Sequence, residues 1–148
     1  MDLKSRLQDD IKTAMRGGDK EKLLTLRMFS AAIKQREVDE RIVLDDAQVL
    51  AVVEKLIKQR REAAAQYEAG NRPELAAKEL GEAALLQSYL PEPLSEADLD
   101  ALIETAIAEN GATGIKEMGR IMAALKPKIQ GRADMGAVSS RLKSRLGG

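Results

Sequence analysis

The sequence predicts an all-α protein, and three observations lead to this fold class. Apolar residues recur at spacings of three and four along nearly every segment, as on one face of a helix. Helix start and stop signals separate these segments, with polar caps before them and glycine after them. The alternation of apolar and polar residues that marks a half-buried strand is found nowhere in the 148 residues. We therefore expect an N-terminal four-helix unit followed by a smaller three-helix C-terminal domain.

The N-terminal unit is predicted over residues 1–90, and its first two helices are separated by a pair of glycines. The first helix covers residues 3–16. The second covers residues 20–38 and is apolar over most of its circumference, which predicts a central position in the bundle. The apolar positions of the first helix are Leu3, Leu7, Ile11 and Ala14.

The third and fourth predicted helices each begin with a recognisable cap. Asp45 and Gln48 have the spacing of a capping box, and the helix that follows them runs to Gly70. Asn71 is the predicted N-cap of the fourth helix, with Pro73 in its first turn. The inward positions predicted for the third helix are Val49, Val53, Leu56 and Ala63.

Residues 91–93, with the sequence Pro-Glu-Pro, are the predicted linker between two domains. Two prolines this close cannot continue a helix and favour extended backbone. The C-terminal domain is then predicted over residues 94–148.

Three helices are predicted in the C-terminal domain. The first begins at a cap formed by Ser95 and ends at Gly111. Pro127 is expected to end or kink the second, and Gly131 closes that segment. Asp134 is the predicted cap of the last helix.

The composition narrows the possible functions. The chain has no Cys and no His, which excludes thiol nucleophiles, cysteine and histidine metal sites and the commonest general base. We predict no catalytic residue, no metal and no cofactor. No apolar run has the length of a membrane span, and the N-terminus does not resemble a signal peptide. We therefore expect a cytoplasmic protein without a membrane partner.

Charge is distributed unevenly along a chain whose formal net charge is zero. Residues 71–111 carry two basic and nine acidic residues, whereas residues 112–148 carry eight basic and two acidic residues. The basic segment predicts a polyanion partner, unless the acidic helix before it neutralises it within the protein. The predicted anion-binding residues are Lys116, Gly119, Arg120, Lys126, Lys128, Gly131, Arg132, Arg141, Lys143 and Arg145.

The kind of polyanion follows from what the segment lacks. Residues 112–148 contain no aromatic side chain on which a base could stack, so single-strand recognition is disfavoured. Contact with the backbone and shape of a folded nucleic acid fits better. A second basic region would be the repeated Ile-Lys-Gln-Arg at residues 33–36 and 57–60, which chance repetition on solvated helix faces would also explain.

Several runs resemble the GatB/YqeY family. They are MGRIM at residues 118–122 and PKIQGRAD at residues 127–134. YLP at residues 89–91 and LSE at residues 94–96 match the middle of the family pattern. Further matches near the beginning are residues 11–16, 26–28 and 33–34. The matching runs cover essentially the whole chain and occur in the same order as in the family.

The resemblance implies an all-helical fold in two parts and an association with transfer RNA. Related domains are the tail of the GatB component of the glutamine-dependent aspartyl/glutamyl-tRNA amidotransferase and an appendage of some glutaminyl-tRNA synthetases. In the amidotransferase the chemistry resides in other domains, so the resemblance implies binding and not catalysis. The glycine and basic positions of the family run correspond to Gly119, Arg120, Lys128, Gly131 and Arg132.

The leading hypothesis is a tRNA-binding or tRNA-enzyme-associated module that acts in translation and is not catalytic by itself. A protein-interaction adaptor for an aminoacyl-tRNA synthetase or for amidotransferase subunits is the first alternative. The second is an accessory component of a carbon-nitrogen ligase activity that uses glutamine as amido donor.

Overall fold

The computed structural model describes residues 2–111 and 114–147, and every regular element within them is a helix. This confirms the predicted all-α class. The chain divides into two compact units, Met1–Leu90 and Pro91–Gly148, and each has its own apolar core.

The N-terminal unit contains four helices, and side-chain hydrogen bonds cap the starts of the first three. The four helices are α1 (Leu3–Gly17), α2 (Lys20–Glu40), α3 (Asp46–Ala69) and α4 (Pro73–Gln87). The carboxylate of Asp19 accepts a hydrogen bond from the backbone of Lys22 at the start of α2. Asp45 and Gln48 form the predicted capping box before α3. These side chains satisfy backbone N–H groups that the first helical turn leaves without partners.

The core of the N-terminal unit lies among all four helices: α3 and α4 pack against each other most extensively, and α2 contacts each of the other three. Phe29 and Leu26 of α2 are fully buried, together with Leu7 of α1 and Leu86 of α4. The outer side of α2 is different, because the side chains of Leu24 and Val38 are 67% and 72% exposed. The expectation of a helix buried over most of its circumference is therefore wrong for this outer side.

Asn71 does not cap α4, contrary to the prediction. It has a left-handed backbone with φ of 59°, which asparagine tolerates better than most residues. In this conformation it helps to close α3, and the next amide, that of Arg72, donates to the carbonyl of Tyr67 at 2.8 Å. The N-cap of α4 is Arg72, which makes no side-chain cap. On α3, Ala64 is buried where Ala63 was expected.

The last residues of the N-terminal unit are held against α1 by a polar and aromatic cluster. The phenol of Tyr89 donates to the carboxylate of Asp10, and its ring lies edge-on to Phe29 at a centroid distance of 5.2 Å. The guanidinium of Arg6 lies 4.4 Å from the centre of the Tyr89 ring and donates to the Ser88 carbonyl at 2.9 Å. Burial, reinforced by the Asp10 carboxylate, raises the pKa of Tyr89.

The C-terminal unit packs three helices and a short turn around aliphatic side chains. Its elements are α5 (Glu96–Asn110), a 3₁₀ turn (Ile115–Glu117), α6 (Met118–Ile129) and α7 (Met135–Arg145). The fully buried side chains are Ile103, Ile121, Leu125, Ile129, Val138 and Leu142. Ser95 and Asp134 cap α5 and α7 as predicted.

Pro127 lies within α6 and does not end it. The helix continues to Ile129, whose side chain is fully buried in the core. Pro127 and Ala123 are both exposed, so water can reach the carbonyl that the proline leaves without a helical donor. The segment closes at Gly131, which has a left-handed φ of 78°.

Candidate nucleic-acid interface

The arginines of α7 form a ladder of ion pairs with the carboxylates of α5. Arg141 lies 3.1 Å from Glu96 and 2.7 Å from Asp100. Arg145 lies 3.9 Å from Asp100 and also pairs with Glu104. Because each set is spaced by four residues, one helical turn, successive charges meet on facing sides of two helices that run in the same direction.

This ladder neutralises the two arginines of α7 from within the unit. Hydrogen bonding to Glu104, with the charges of Glu104 and Asp100, holds the pKa of Arg145 above its usual value. The alternative of internal neutralisation therefore holds for Arg141 and Arg145. A polyanion would have to displace α5 carboxylates to reach them. Lys143 lies between them in the sequence, is exposed, and makes no ion pair within the described residues.

The basic residues of α6 and its leading turn are arranged differently. Residues 115–129 carry four basic residues and one acidic residue. Lys116, Lys126 and Lys128 are exposed, and none makes an ion pair among residues 2–111 and 114–147. Arg120 pairs with Glu117 at 2.5 Å and donates to the Asn110 carbonyl at 2.8 Å. We call these four basic residues the α6 cations.

The exposed side of α6 is made of small side chains, and the α6 cations flank it without sharing one line, since Lys126 and Lys128 lie about 160° apart around the helix. Since Ile121, Leu125 and Ile129 define the buried side, the opposite side is exposed and holds Gly119, Ala123 and Ala124. A Cβ atom built on Gly119 would meet no heavy atom within 4 Å. At these three positions no side chain larger than a methyl group covers the helix backbone. Lys126 and Lys128 lie in the last turn of α6, where positive charge also stabilises the helix dipole.

Two predicted site residues hold the fold of the C-terminal unit together. Gly131 is buried and supplies the left-handed turn after α6, so it presents no surface to a ligand. The Nε atom of Arg132 donates to the Glu92 carbonyl at 3.0 Å, and the Leu94 amide donates to the Arg132 carbonyl at 2.9 Å. Arg132 therefore fastens the proline-containing segment that precedes α5.

The repeated Ile-Lys-Gln-Arg run does not form two equivalent basic surfaces. Arg60 of the second copy is mostly buried, with Glu82 at 3.1 Å and Glu79 at 3.6 Å. Arg36 of the first copy is neutralised by Glu40 at 2.5 Å. Within the described residues, no group of three or more acidic side chains is placed to hold a metal ion.

The fold and this site define an all-helical protein of two units with an exposed basic helix in the second. Residues 4–146 match the sequence model described as Yqey-like protein. The chain therefore belongs to the Yqey-like family, as its sequence motifs predicted.

The relatives found by comparison carry the name Altered inheritance of mitochondria protein 41, mitochondrial. The chain is 29% identical to the protein from Pyrenophora tritici-repentis over 145 residues, which cover 96% of this chain and 80% of that protein. It is 36% identical to the protein from Vanderwaltozyma polyspora over 85 residues, which cover 57% of this chain and 46% of that protein. It is 30% identical to the protein from Lachancea thermotolerans over 112 residues, which cover 74% of this chain and 60% of that protein.

The comparisons bear on localisation as well. The names of these relatives place those proteins in mitochondria. In this chain, no helix of the described part is both long enough and apolar enough to cross a membrane. A cytoplasmic location for this chain stays a prediction.

Proposed function

We propose that the C-terminal unit binds the phosphate backbone of a folded RNA and that the protein is a tRNA-binding or tRNA-enzyme-associated module. One observation carries the proposal. The α6 cations are exposed and form one ion pair among the described residues, that of Arg120 with Glu117, whereas the α7 arginines are neutralised by α5. The proposal involves binding and no chemical step.

The chemistry of the α6 surface favours phosphate contacts over base contacts. Lysine and arginine bind phosphate through charge-assisted hydrogen bonds. The small side chains of Gly119, Ala123 and Ala124 allow a sugar-phosphate backbone to come close to the helix. Residues 91–148 contain no aromatic residue, so stacking on unpaired bases has no platform there. Recognition by shape and backbone, as for double-helical RNA, fits this surface.

The resemblance to the amidotransferase tail domain supports transfer RNA as the RNA class. We assign the phosphate contacts to the α6 cations, with Lys143 as a further contact. Arg132, Arg141 and Arg145, which were also predicted contacts, are assigned to holding the unit together, because each is hydrogen-bonded within it and is less exposed than Arg120.

A filter-binding titration of the whole chain with unmodified tRNA tests the proposal. Retention should fall steeply with salt. A plot of the logarithm of the binding constant against the logarithm of the salt concentration should have a slope of about −0.7 to −0.9 per neutralised phosphate. Charge reversal by Lys126→Glu with Lys128→Glu should abolish retention without loss of helix content. The matched control is Lys55→Glu with Lys78→Glu, which reverses two exposed lysines of the N-terminal unit and should leave retention nearly unchanged. Retention that is insensitive to salt, or absent at low salt, rejects the proposal.

A further inference from the structure

The outer side of α2 presents a regular row of basic and aliphatic side chains. Its members follow a spacing of four, three, four, three and four, so they lie along one face of the helix. We call this row the α2 stripe. It consists of Lys20, Leu24, Arg27, Ala31, Lys34 and Val38.

Every residue of the α2 stripe is exposed, and its charges have no ion-pair partner within the part of the chain that the structure describes. Leu24 and Val38 are the large apolar members, and both have most of their side-chain surface in water. The charged members are Lys20, Arg27 and Lys34. The row spans about 27 Å at 1.5 Å per residue, the length of a helix–helix contact.

Met15 of α1 widens the apolar surface beside the stripe. Its side chain is 53% exposed, and its sulfur lies 3.8 Å from a guanidinium nitrogen of Arg27. The nearest acidic residues of α2 in the helical projection, Glu21, Glu37 and Asp39, fall roughly a quarter-turn away from the stripe. Glu37 lies near enough to Lys34 for their charges to interact, but its ion pair is with Lys4 of α1. The stripe therefore combines exposed aliphatic side chains with positive charges that no acid on the same line offsets.

We propose that the α2 stripe is a docking surface for an amphipathic helix of a partner protein, with aliphatic residues facing Leu24 and Val38 and with Asp or Glu beside Arg27 and Lys34. Charge complementarity selects an acidic helix, and the four-three spacing matches the repeat with which two helices pack side by side. A nucleic acid would use the charges but would leave the aliphatic side chains without partners. A bilayer would be offered few large apolar side chains and no aromatic anchor. This proposal is independent of RNA binding by the C-terminal unit.

Two synthetic helical peptides of about 21 residues, used with the full chain, test the proposal. Both carry leucine at the four-three spacing, and they differ only in having glutamate or lysine at the flanking positions. Fluorescence anisotropy should show that the acidic peptide binds at least about tenfold more tightly than the basic one. The variant Arg27→Glu with Lys34→Glu should reverse this preference. The control variant Lys58→Glu with Lys78→Glu should keep it.

A second variant distinguishes docking of a helix from binding of a polyanion by the charges of the stripe alone. Leu24→Gln with Val38→Gln removes two exposed side chains, so helix content should be unchanged while binding of the acidic peptide weakens by about tenfold or more. Equal binding of the two peptides, or none of either, overturns the proposal. It is also overturned if the stripe instead binds tRNA or phosphatidylserine vesicles in a way that needs Arg27 and Lys34 but not Leu24 and Val38.

Discussion

The Nη1 atom of Arg141 lies 2.7 Å from the Oδ1 atom of Asp100, and Arg145 reaches the same carboxylate at 3.9 Å. These contacts determine how charge is distributed over the C-terminal unit. Positive charge on α7 meets negative charge on α5, whereas positive charge on α6 meets only Glu117 among the described residues. The unit therefore has one neutralised pair of helices and one helix with excess positive charge.

Removing the α5 carboxylates should release the α7 arginines for RNA. In the variant Asp100→Asn with Glu104→Gln we expect tighter tRNA retention, with a salt slope more negative by up to about 0.9, because Arg145 loses both acidic partners whereas Arg141 keeps Glu96. Filter binding over a series of salt concentrations measures this change. The control Asp98→Asn with Glu109→Gln removes the same charge from α5 but no described ion pair. Equal slopes in the two variants would contradict the role given to the ladder.

Arg132 should stabilise the segment before α5. We expect Arg132→Ala to speed hydrogen exchange of the Leu94 amide, because the side-chain hydrogen bond to the Glu92 carbonyl is lost while the backbone bond remains. The loss in unfolding free energy should be about 1 kcal/mol, as for a single exposed hydrogen bond. Nuclear magnetic resonance of amide exchange measures it, with Lys128→Ala as the matched control. An unchanged exchange rate of the Leu94 amide would contradict a stabilising role of the Arg132 side chain in this segment.

Tyr89 should resist ionisation as long as the N-terminal unit is folded. Its pKa is raised by burial and by Asp10, whereas an unfolded tyrosine ionises near pH 10. The raised pKa contributes stability that is fully present below about pH 10 and is lost as the pH rises above it. In a Tyr67→Phe background, ultraviolet absorbance should show phenolate only as the helices unfold. Titration near pH 10 with helix content intact would contradict the buried hydrogen bond.

Glu37 should make the N-terminal unit sensitive to acid. Its carboxylate accepts hydrogen bonds from Lys4 and from the Leu44 amide, at 2.8 Å for the latter, and the Lys4 contact is the main cause of its lowered pKa. The contribution is present above the unfolded pKa of about 4.3 and is lost as the pH falls below it. Denaturant unfolding at pH values from about 6 to about 3 should show a shallower loss of stability in Glu37→Gln. Glu62→Gln, at an exposed position, is the control and should behave like the unaltered chain.

Local signals in the sequence predicted the helices well, since caps act between residues three apart. Asp45, Ser95 and Asp134 cap helices as expected. The prediction that Asn71 caps α4 was wrong because asparagine is common both at N-caps and in left-handed turns. Here Asn71 adopts the left-handed turn that follows α3.

The candidate site was harder to predict because it depends on contacts between helices. An acidic α5 beside a basic α7 was visible in the sequence, but the pairing of Arg141 with Asp100 depends on how the two helices align in space. The α2 stripe was missed for another reason. The helix at residues 20–38 was predicted to lie centrally because it is apolar over most of its circumference, although the spacing that joins Leu24 and Val38 to its basic residues was present in the sequence.

The salt dependence of tRNA binding, compared between the unaltered chain and Lys126→Gln with Lys128→Gln, tests most directly whether α6 contacts phosphate. Removing these two charges should lower the steepness of the log–log salt plot by about 1.4 to 1.8, with tRNA bound more weakly at every salt concentration. An unchanged slope would contradict the assignment of α6 as the surface that binds RNA.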